Sequence, residues 1–400
     1  MERPSIVTAG LLAATAVLVV FWFVSSRFPA ADTDALRHFS TEFLTRAQAY
    51  NRVRYGIFAG RNLAHLGVLA LLVAGAPWLA GRVVALMGGR PTLGALALGL
   101  VIGSILLLAD LPFGLWRYQV DTLAGLSTMP LGLWLSDTLK GFLLAQAISL
   151  PAIAVFFFLV HRFSSSWHLL AGAGLGVFLV ISAALAPLVI DPLFHRFWPL
   201  EDKAMYQEIR HMAQDAGIEV RDVLVMDASR RTTRANAYFT GVGRTRRIVL
   251  YDTLTNQFPR GETLMVVAHE IGHWKAGHIT KGITLGTLGF LALLGVIRVT
   301  IGTRPTVTHL PLVFLIWSLA ALLSMPVNNA ISRGFEREAD GIALELGQDP
   351  SAWISLEKRL AAKNLADVNP HPLVKVVVFT HPPILERIAT AEGAGPGRAE

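Results

Sequence analysis

The amino-acid sequence predicts a mostly α-helical, polytopic membrane protein with about seven transmembrane helices and one polar region built round a small β-sheet. Three observations carry that prediction. The 400 residues are 53% hydrophobic and 16% charged, with a mean hydropathy of +0.51, whereas soluble domains carry roughly 25% charged residues. The apolar residues gather into runs close to the ~20 residues that a helix needs to cross hydrocarbon. Only one stretch between such runs is long, residues 191–282, and there the apolar residues alternate instead of running on.

In chain order the candidate spans are 5–24, 62–80, 92–112, 139–160, 168–190, 283–302 and 308–330. The first has an apolar run from Ile6 to Val24. This is longer than the ~7–15 residues of a secretory h-region, and no small-x-small cleavage site follows directly, so it reads as an uncleaved anchor. An odd number of spans places the two termini on opposite sides. The loops 25–61, 113–138 and 191–282 and the segment from 331 then share one side, where Arg27, Arg37, Arg46, Arg52, Arg54 and Arg61 gather in the first loop. The other side shows little beyond Arg3, Arg82, Arg90, Arg162 and Arg304. Basic residues accumulate on the cytoplasmic face, so the Arg-rich side is read as cytoplasmic. That asymmetry accounts for the formal charge of +7, and no nucleic-acid partner is inferred from it.

The polar region opens with a helical stretch, Lys203 to Ala216, followed by an alternating run from Glu219 to Met226 and a strand from Arg247 to Tyr251. The polar stretch 227–236 and the glycines Gly241 and Gly243 separate the two strands. A helix from Gly261 to about Gly277 comes next. The chain thus divides into a five-helix transmembrane region (1–190), a polar region with the motif helix (191–282), a transmembrane hairpin (283–330), a second polar region (331–392) and a disordered Gly/Pro-rich tail (393–400).

The motif helix carries His269-Glu270-Ile271-Gly272-His273. Histidines four apart on a helix present both imidazoles on one face and can share one metal ion. Glu270 projects from nearly the same face and can take a proton from a water beside that ion, the arrangement of zinc hydrolases. The chain has no cysteine, so any metal is held by His, Asp or Glu. A catalytic zinc needs three protein ligands and an open position. Two spans separate the motif helix from residue 331, so the chain returns to the same side at Arg333-Gly334-Phe335-Glu336-Arg337-Glu338-Ala339-Asp340. Glu336 is the expected third ligand. Asp340, one turn on, is placed to hold an imidazole N–H, whereas Glu338 points the other way. The competing reading makes these acids a solvated face paired with Arg333 and Arg337. His278 is read as a structural hydrogen-bonding residue, since five residues from His273 it rotates away from the metal side.

Several ordered blocks make the likeness specific. They are Pro192-Leu193-Phe194 with Pro199-Leu200; Asn236-Ala237-Tyr238-Phe239 with Arg247-Ile248-Val249-Leu250-Tyr251-Asp252-Thr253-Leu254; the pentapeptide with Trp274-Lys275 and Gly277-His278; Ser332 through Glu336 with Ala339-Asp340; and His381-Pro382-Pro383 with Glu386-Arg387. From about residue 110 onward the chain resembles the type I CAAX prenyl proteases, seven-span zinc metallopeptidases. The resemblance implies a zinc metalloprotease domain with one Zn2+ per chain and Glu336 as the carboxylate ligand. It further implies that Asn236 contacts the substrate backbone and that His381 and Arg387 line the cleft. Asn236 offers an amide donor and acceptor to an extended peptide. His381 is suited to donate to the oxyanion, a contact worth roughly 3–4 kcal/mol, and Arg387 is expected to share that role. One departure is visible: Thr233-Arg234-Ala235 stands where the family commonly has Ser-His-Ser.

The expected partners are the lipid bilayer and a peptide or protein substrate, membrane-associated or lipidated. Composition fits a bacterial member in the inner membrane with its site facing the cytoplasm, where prenylated CAAX proteins are not expected. Two alternatives are a quality-control membrane protease of the HtpX type and a non-enzymatic scaffold with a residual zinc site. Glu270 beside the ligands speaks against the scaffold. Site-two-type proteases bury the pentapeptide inside a span, whereas here Glu262, Thr263 and Lys275 flank it.

Overall fold

The computed structural model describes residues 3–27, 33–241 and 246–393. Gly243 and the tail from residue 394 lie outside the described residues. The first half of the chain forms α1 (Arg3–Ser25), α2 (Thr33–His38), α3 (Thr41–Ala74), α4 (Ala76–Leu86), α5 (Pro91–Leu123), α6 (Leu131–Arg162) and α7 (Trp167–Val189). There follow α8 (Asp191–Phe194), β1 (Phe197–Pro199), α9 (Lys203–Asp215), β2 (Asp222–Met226), β3 (Ala237–Thr240), β4 (Arg247–Tyr251) and α10 (Asp252–Gln257). The rest is helical: α11 (Arg260–Lys275), α12 (His278–Ile301), α13 (Leu310–Leu323), α14 (Met325–Gly347), α15 (Pro350–Asn364), α16 (Pro372–Val378) and α17 (Ile384–Gly393).

Among the described residues, six helices are long and apolar enough to cross a membrane: α1, α3, α5, α6, α7 with α8, and α12. The pair α13–α14, bent by 47°, makes a seventh if it is one span. The bend follows from Pro326 at the start of α14, which has no N–H to continue the helix and crowds the preceding turn. Other boundaries differ from the sequence reading. The second span ends at Ala74, and the residues after Gly75 form the separate helix α4 with Pro77 in its first turn. The regions expected as loops 25–61 and 113–138 are mostly helical, because α3, α5 and α6, at 34, 33 and 32 residues, outrun the hydrocarbon. Their polar ends carry the arginines that looked like loop charge, and Ser40 caps α3 by accepting from Phe43 N–H at 3.2 Å.

The long helices pack in a closed order: α3 on α5, α5 on α6, α6 on α7, α7 on α12, α12 on α13 and α13 back on α3, with α1 against α3 and α13. Two clusters bury apolar side chains where α5, α6, α7 and α12 meet. There Leu98, Ile102, Ile153 and Phe157 form one cluster, and Val160, Trp167, Leu294, Ile297 and Ile301 another. The opposite half of α6, from Leu131 to Ala152, buries none of its side chains.

The sheet has the order β1-β2-β4-β3. Strands β2 and β4 run parallel, in register from Asp222↔Arg247 to Met226↔Tyr251. Each gains an antiparallel edge, β1 on β2 and β3 on β4. The parallel pair follows from two apolar runs that both faces of the region cover. The edges were not read from sequence because β1 has three residues, one of them Pro199, and β3 has four. One edge of β3 faces α11. The core beneath the sheet packs Ile209, Val223, Ile248, Leu250 and Leu254 against Val267, Ala268 and Ile271 of α11 and Trp353 of α15. Each such side chain contributes about 1.5–3 kcal/mol.

The carboxy-terminal segment is tied to the first membrane helices. Asn51 donates to Leu365 O at 2.7 Å, and the Tyr55 hydroxyl to Asp367 Oδ2 at 3.0 Å. Burial raises the Asp367 pKa to about 6, against the opposing Tyr55 hydrogen bond. A carboxyl that holds its proton more tightly folded than unfolded loses stability as pH rises through the folded value. Asp367→Asn is therefore expected to raise the melting temperature in detergent by a few degrees at pH 8 and to change it little at pH 3, below both the folded value and the ordinary 3.8. An equal gain at both pH values would count against the buried-charge argument.

Candidate metal centre

Helix α11 presents His269 and His273 one turn apart, with Nε2 atoms 3.0 Å from each other. Helix α14 brings Glu336 against both: Oε2 lies 3.2 Å from His269 Nε2 and Oε1 lies 3.4 Å from His273 Nε2. The three ligand atoms fall within 4.8 Å of one another. The approach of the two helices depends on Gly272, where a Cβ would meet the Ala339 carbonyl oxygen at 2.8 Å and its Cα at 3.1 Å. That glycine lies inside the pentapeptide, yet sequence reasoning gave it no role, because the partner backbone comes from another helix.

The residues fit a divalent cation. Glu336 Oε2 is buried and faces only imidazole nitrogens, His269 Nε2 at 3.2 Å and His381 Nε2 at 3.4 Å. The ring nitrogens turned away from the centre are engaged: Asp340 Oδ1 is 2.8 Å from His269 Nδ1, and His278 Nδ1 is 2.9 Å from His273 Nδ1. Both Nε2 atoms therefore face the carboxylate, and two imidazole nitrogens with one carboxylate are a donor set that zinc takes. Burial disfavours a protonated His269, but hydrogen bonds to Asp340 and then Glu336 outweigh it and raise its pKa to about 10. The pocket is built for positive charge.

Glu270 is placed beside this cluster and accepts from the Phe239 N–H of β3 at 3.1 Å. Burial raises its pKa above the ordinary carboxylate range, and the two imidazoles oppose the rise. Asn236, exposed, sits just before β3, and its side chain reaches the Tyr251 hydroxyl. Arg234, in the departure from the family pattern, turns to α3 and α5, with Nη2 2.5 Å from the Tyr50 hydroxyl and 3.4 Å from Asp121. His381 is 57% exposed and its Nε2 is 3.4 Å from Glu336 Oε2. Its segment is held by α14: Arg333 donates to the carbonyls of Lys375 and Phe379, and Asn329 to that of Val377. The solvated acidic face does not form. Glu336, Asp340 and Arg333 are buried, and only Glu338 is exposed, paired with His278 and Lys281.

Arg387 takes a different place from the cleft lining expected of it. Its side chain is 11% exposed and forms a fork on Asp340, Nε to Oδ2 at 2.9 Å and Nη2 to Oδ1 at 2.6 Å. On its other edge Nη1 is 2.9 Å from Glu357 Oε1. With three N–H groups on carboxylates, little of the guanidinium is free for an oxyanion. Glu357 was missed in the sequence, where it reads as one more polar residue of α15. It is fully buried, and burial pushes its pKa up to about 7 although Arg387 pulls it down.

Comparison with known proteins gives the family. The profile of Peptidase family M48 matches residues 199–394, and that of the CAAX prenyl protease N-terminal region, five membrane helices, matches residues 26–196. The CAAX prenyl protease 1 homolog of Arabidopsis thaliana is 30% identical over 72% of this chain and 70% of that protein. The chain belongs to the CAAX prenyl protease family. CAAX prenyl protease 1 of Saccharomyces cerevisiae is 29% identical over 73% of this chain and 70% of its own length. An uncharacterized metalloprotease of Bacillus subtilis, YhfN, is 29% identical over 98% of this chain and 97% of that protein. The crystal structure of S. mikatae Ste24p shares the fold, with a TM-score of 0.84 over 98% of this chain and 99% of that one, at 24% identity. Membership makes this chain a multi-pass membrane metalloprotease of the zinc metalloendopeptidase class.

Arg387→Lys replaces a two-pronged clamp on Asp340 with a point charge. If the guanidinium acts by fixing Asp340 and through it His269, zinc affinity falls by about 10-fold or more, as read by chelator competition. Lost turnover with unchanged zinc affinity would instead put Arg387 on the oxyanion.

Proposed function

We propose that the protein is an endopeptidase that cleaves a membrane-associated peptide held as an added strand along β3, with His269, His273 and Glu336 holding zinc. The convergence of those three side chains beside Glu270 and the open edge of β3 carries this reading. A zinc ion held by His269, His273 and Glu336 would supply Lewis acidity, to polarise a carbonyl and to make a nearby water acidic enough to react at neutral pH. Glu270 takes the proton from that water and returns it to the leaving amine. Its burial and raised pKa suit a base that must also act as an acid. His381, exposed at the rim and next to Glu336, donates to the developing oxyanion. Asp340 keeps the proton of His269 on Nδ1, and Arg387 and Glu357 hold Asp340 in place.

An extended peptide is recognised by main-chain hydrogen bonds to a free strand edge. In an antiparallel pair alternate residues turn their N–H groups outward. Phe239 N–H already points at Glu270, which supports a scissile bond close to that position, and Asn236 extends the same edge. The uncovered half of α6 supports a space within the helix ring that limits which peptides reach the centre. The substrate is proposed to be membrane-associated or lipidated, with no nucleic acid involved. The match to the five-helix amino-terminal region favours this reading over an HtpX-type quality-control protease.

Protein purified without chelators is expected to hold one zinc per chain. Glu270→Gln should keep that zinc and lose peptide cleavage by about 10²–10⁴-fold. Absence of zinc removes the mechanism, and retained cleavage moves the base elsewhere. The same variant serves to trap substrates in native membranes.

The site is proposed to face the cytoplasm of the inner membrane. The chain has no native cysteine, so single cysteines report sidedness directly. In sealed cells an impermeant maleimide should label Arg304→Cys, and should label Gln214→Cys only after lysis. The reverse pattern would invert the topology.

A further inference from the structure

His278 and Glu338 lie outside the ligand set and the base, yet the fold spends specific features on placing them. On a continuous helix a residue five after His273 faces elsewhere. Here α11 ends at Lys275, and Gly277 takes the left-handed conformation at φ 67°, open to glycine and strained for other residues. The chain then re-enters α12 at His278, whose buried imidazole comes back against His273 with the two Nδ1 atoms 2.9 Å apart. The ring stacks on Phe335, centroids 4.3 Å apart and planes 15° off parallel. Its other nitrogen, Nε2, is 3.0 Å from Glu338 Oε2, and Lys281 Nζ is 3.2 Å from that same oxygen.

Two facing imidazole nitrogens share one proton, so the direction of the bond has to be chosen. A His273 that offers the Nε2 lone pair to a metal carries its proton on Nδ1 and donates it to His278 Nδ1. That requires His278 to be protonated on Nε2. A carboxylate accepts and never donates, so for a neutral His278 Glu338 permits only this arrangement. With the opposite tautomer His278 Nε2 and Glu338 would confront each other as two acceptors, and His273 would be protonated on the atom that has to bind. Asp340 does the same for His269 directly.

We infer that Glu338 and His278 form a relay that fixes the tautomer and ring angle of His273, and that both are positioning residues for metal binding. The inference rests on the zinc reading proposed above. His278 occupies the place that a carboxylate or backbone carbonyl takes beside many metal-bound histidines, and it lets the choosing charge sit at the half-exposed Glu338.

The test is zinc affinity of the full-length protein in detergent, by competition with a chelating dye, with melting temperature of the metal-free form and the absorption of the Co(II)-loaded form as further readouts. His278→Phe keeps an aromatic ring on Phe335 and removes the acceptor; zinc binding is expected to weaken about 10–100-fold with a changed cobalt spectrum. His278→Gln, whose amide oxygen accepts a hydrogen bond, should recover most of the loss. Glu338→Met removes the acceptor beside His278 Nε2, leaves the tautomer unchosen and should weaken binding by about 10-fold. If His278→Phe does not fold, Glu338→Met at its half-exposed position decides alone. Variants that bind zinc within twofold of the parent, with only the melting temperature lowered, overturn the inference and leave His278 a packing residue. A parent that binds no zinc overturns the metal reading, and the relay with it.

Discussion

Where α11 crosses α14, any side chain at position 272 would collide with the Ala339 backbone, its Cβ lying 2.8 Å from the carbonyl oxygen, so only glycine lets the helices come this close. The other distances in the centre follow from that contact. His269 and His273 flank the glycine on one helix, and Glu336 and Asp340 flank the alanine on the other. A crossing wider by one methyl group would move Glu336 off both imidazoles together.

Charge is arranged outward from the crossing. Glu336 and His269 form an inner layer and Asp340 a second, with Arg387 and Glu357 closing it from behind. The three acids and His269 are buried and Arg387 nearly so, and a buried charge is stable only when paired and hydrogen-bonded. Removing one member strands the rest, which typically costs about 3–5 kcal/mol. Trp353 adds a wall, lying under the Arg387 guanidinium at 4.9 Å and beside the His269 ring. The layers make the site rigid before any substrate arrives.

How much of this could be read from the sequence varied with the range of the interaction. The positions of the membrane helices were legible because hydropathy is a local property, but their ends were not. Helices such as α3 and α5 run on past the apolar stretch, where Asp121 of α5 finds partners on distant segments, the Tyr50 hydroxyl of α3 and Arg234. Strands β2 and β4 were legible from their apolar runs, whereas β1 and β3 are edges too short to show a pattern. His269, His273, Glu270 and Glu336 were legible by combining helical spacing with the side of the membrane to which the chain returns. Arg387 was picked out, but its direction was not, since the fork onto Asp340 depends on α17 packing behind α15. Glu357 gave no signal, because a single acid on an otherwise ordinary helix looks the same whether buried or solvated.

The hairpin of α12 and α13 stands between the histidines and Glu336 in the chain, and this has a bearing on biosynthesis. A nascent polypeptide that has emerged only through His273 possesses an incomplete ligand set. The missing carboxylate is supplied once the next helices have entered the bilayer and α14 has folded back. On the zinc centre proposed above, hydrolytic competence would be deferred until membrane insertion is nearly finished, and the translocation machinery would handle an inert precursor. Topogenesis itself does the work that a propeptide does in secreted zymogens.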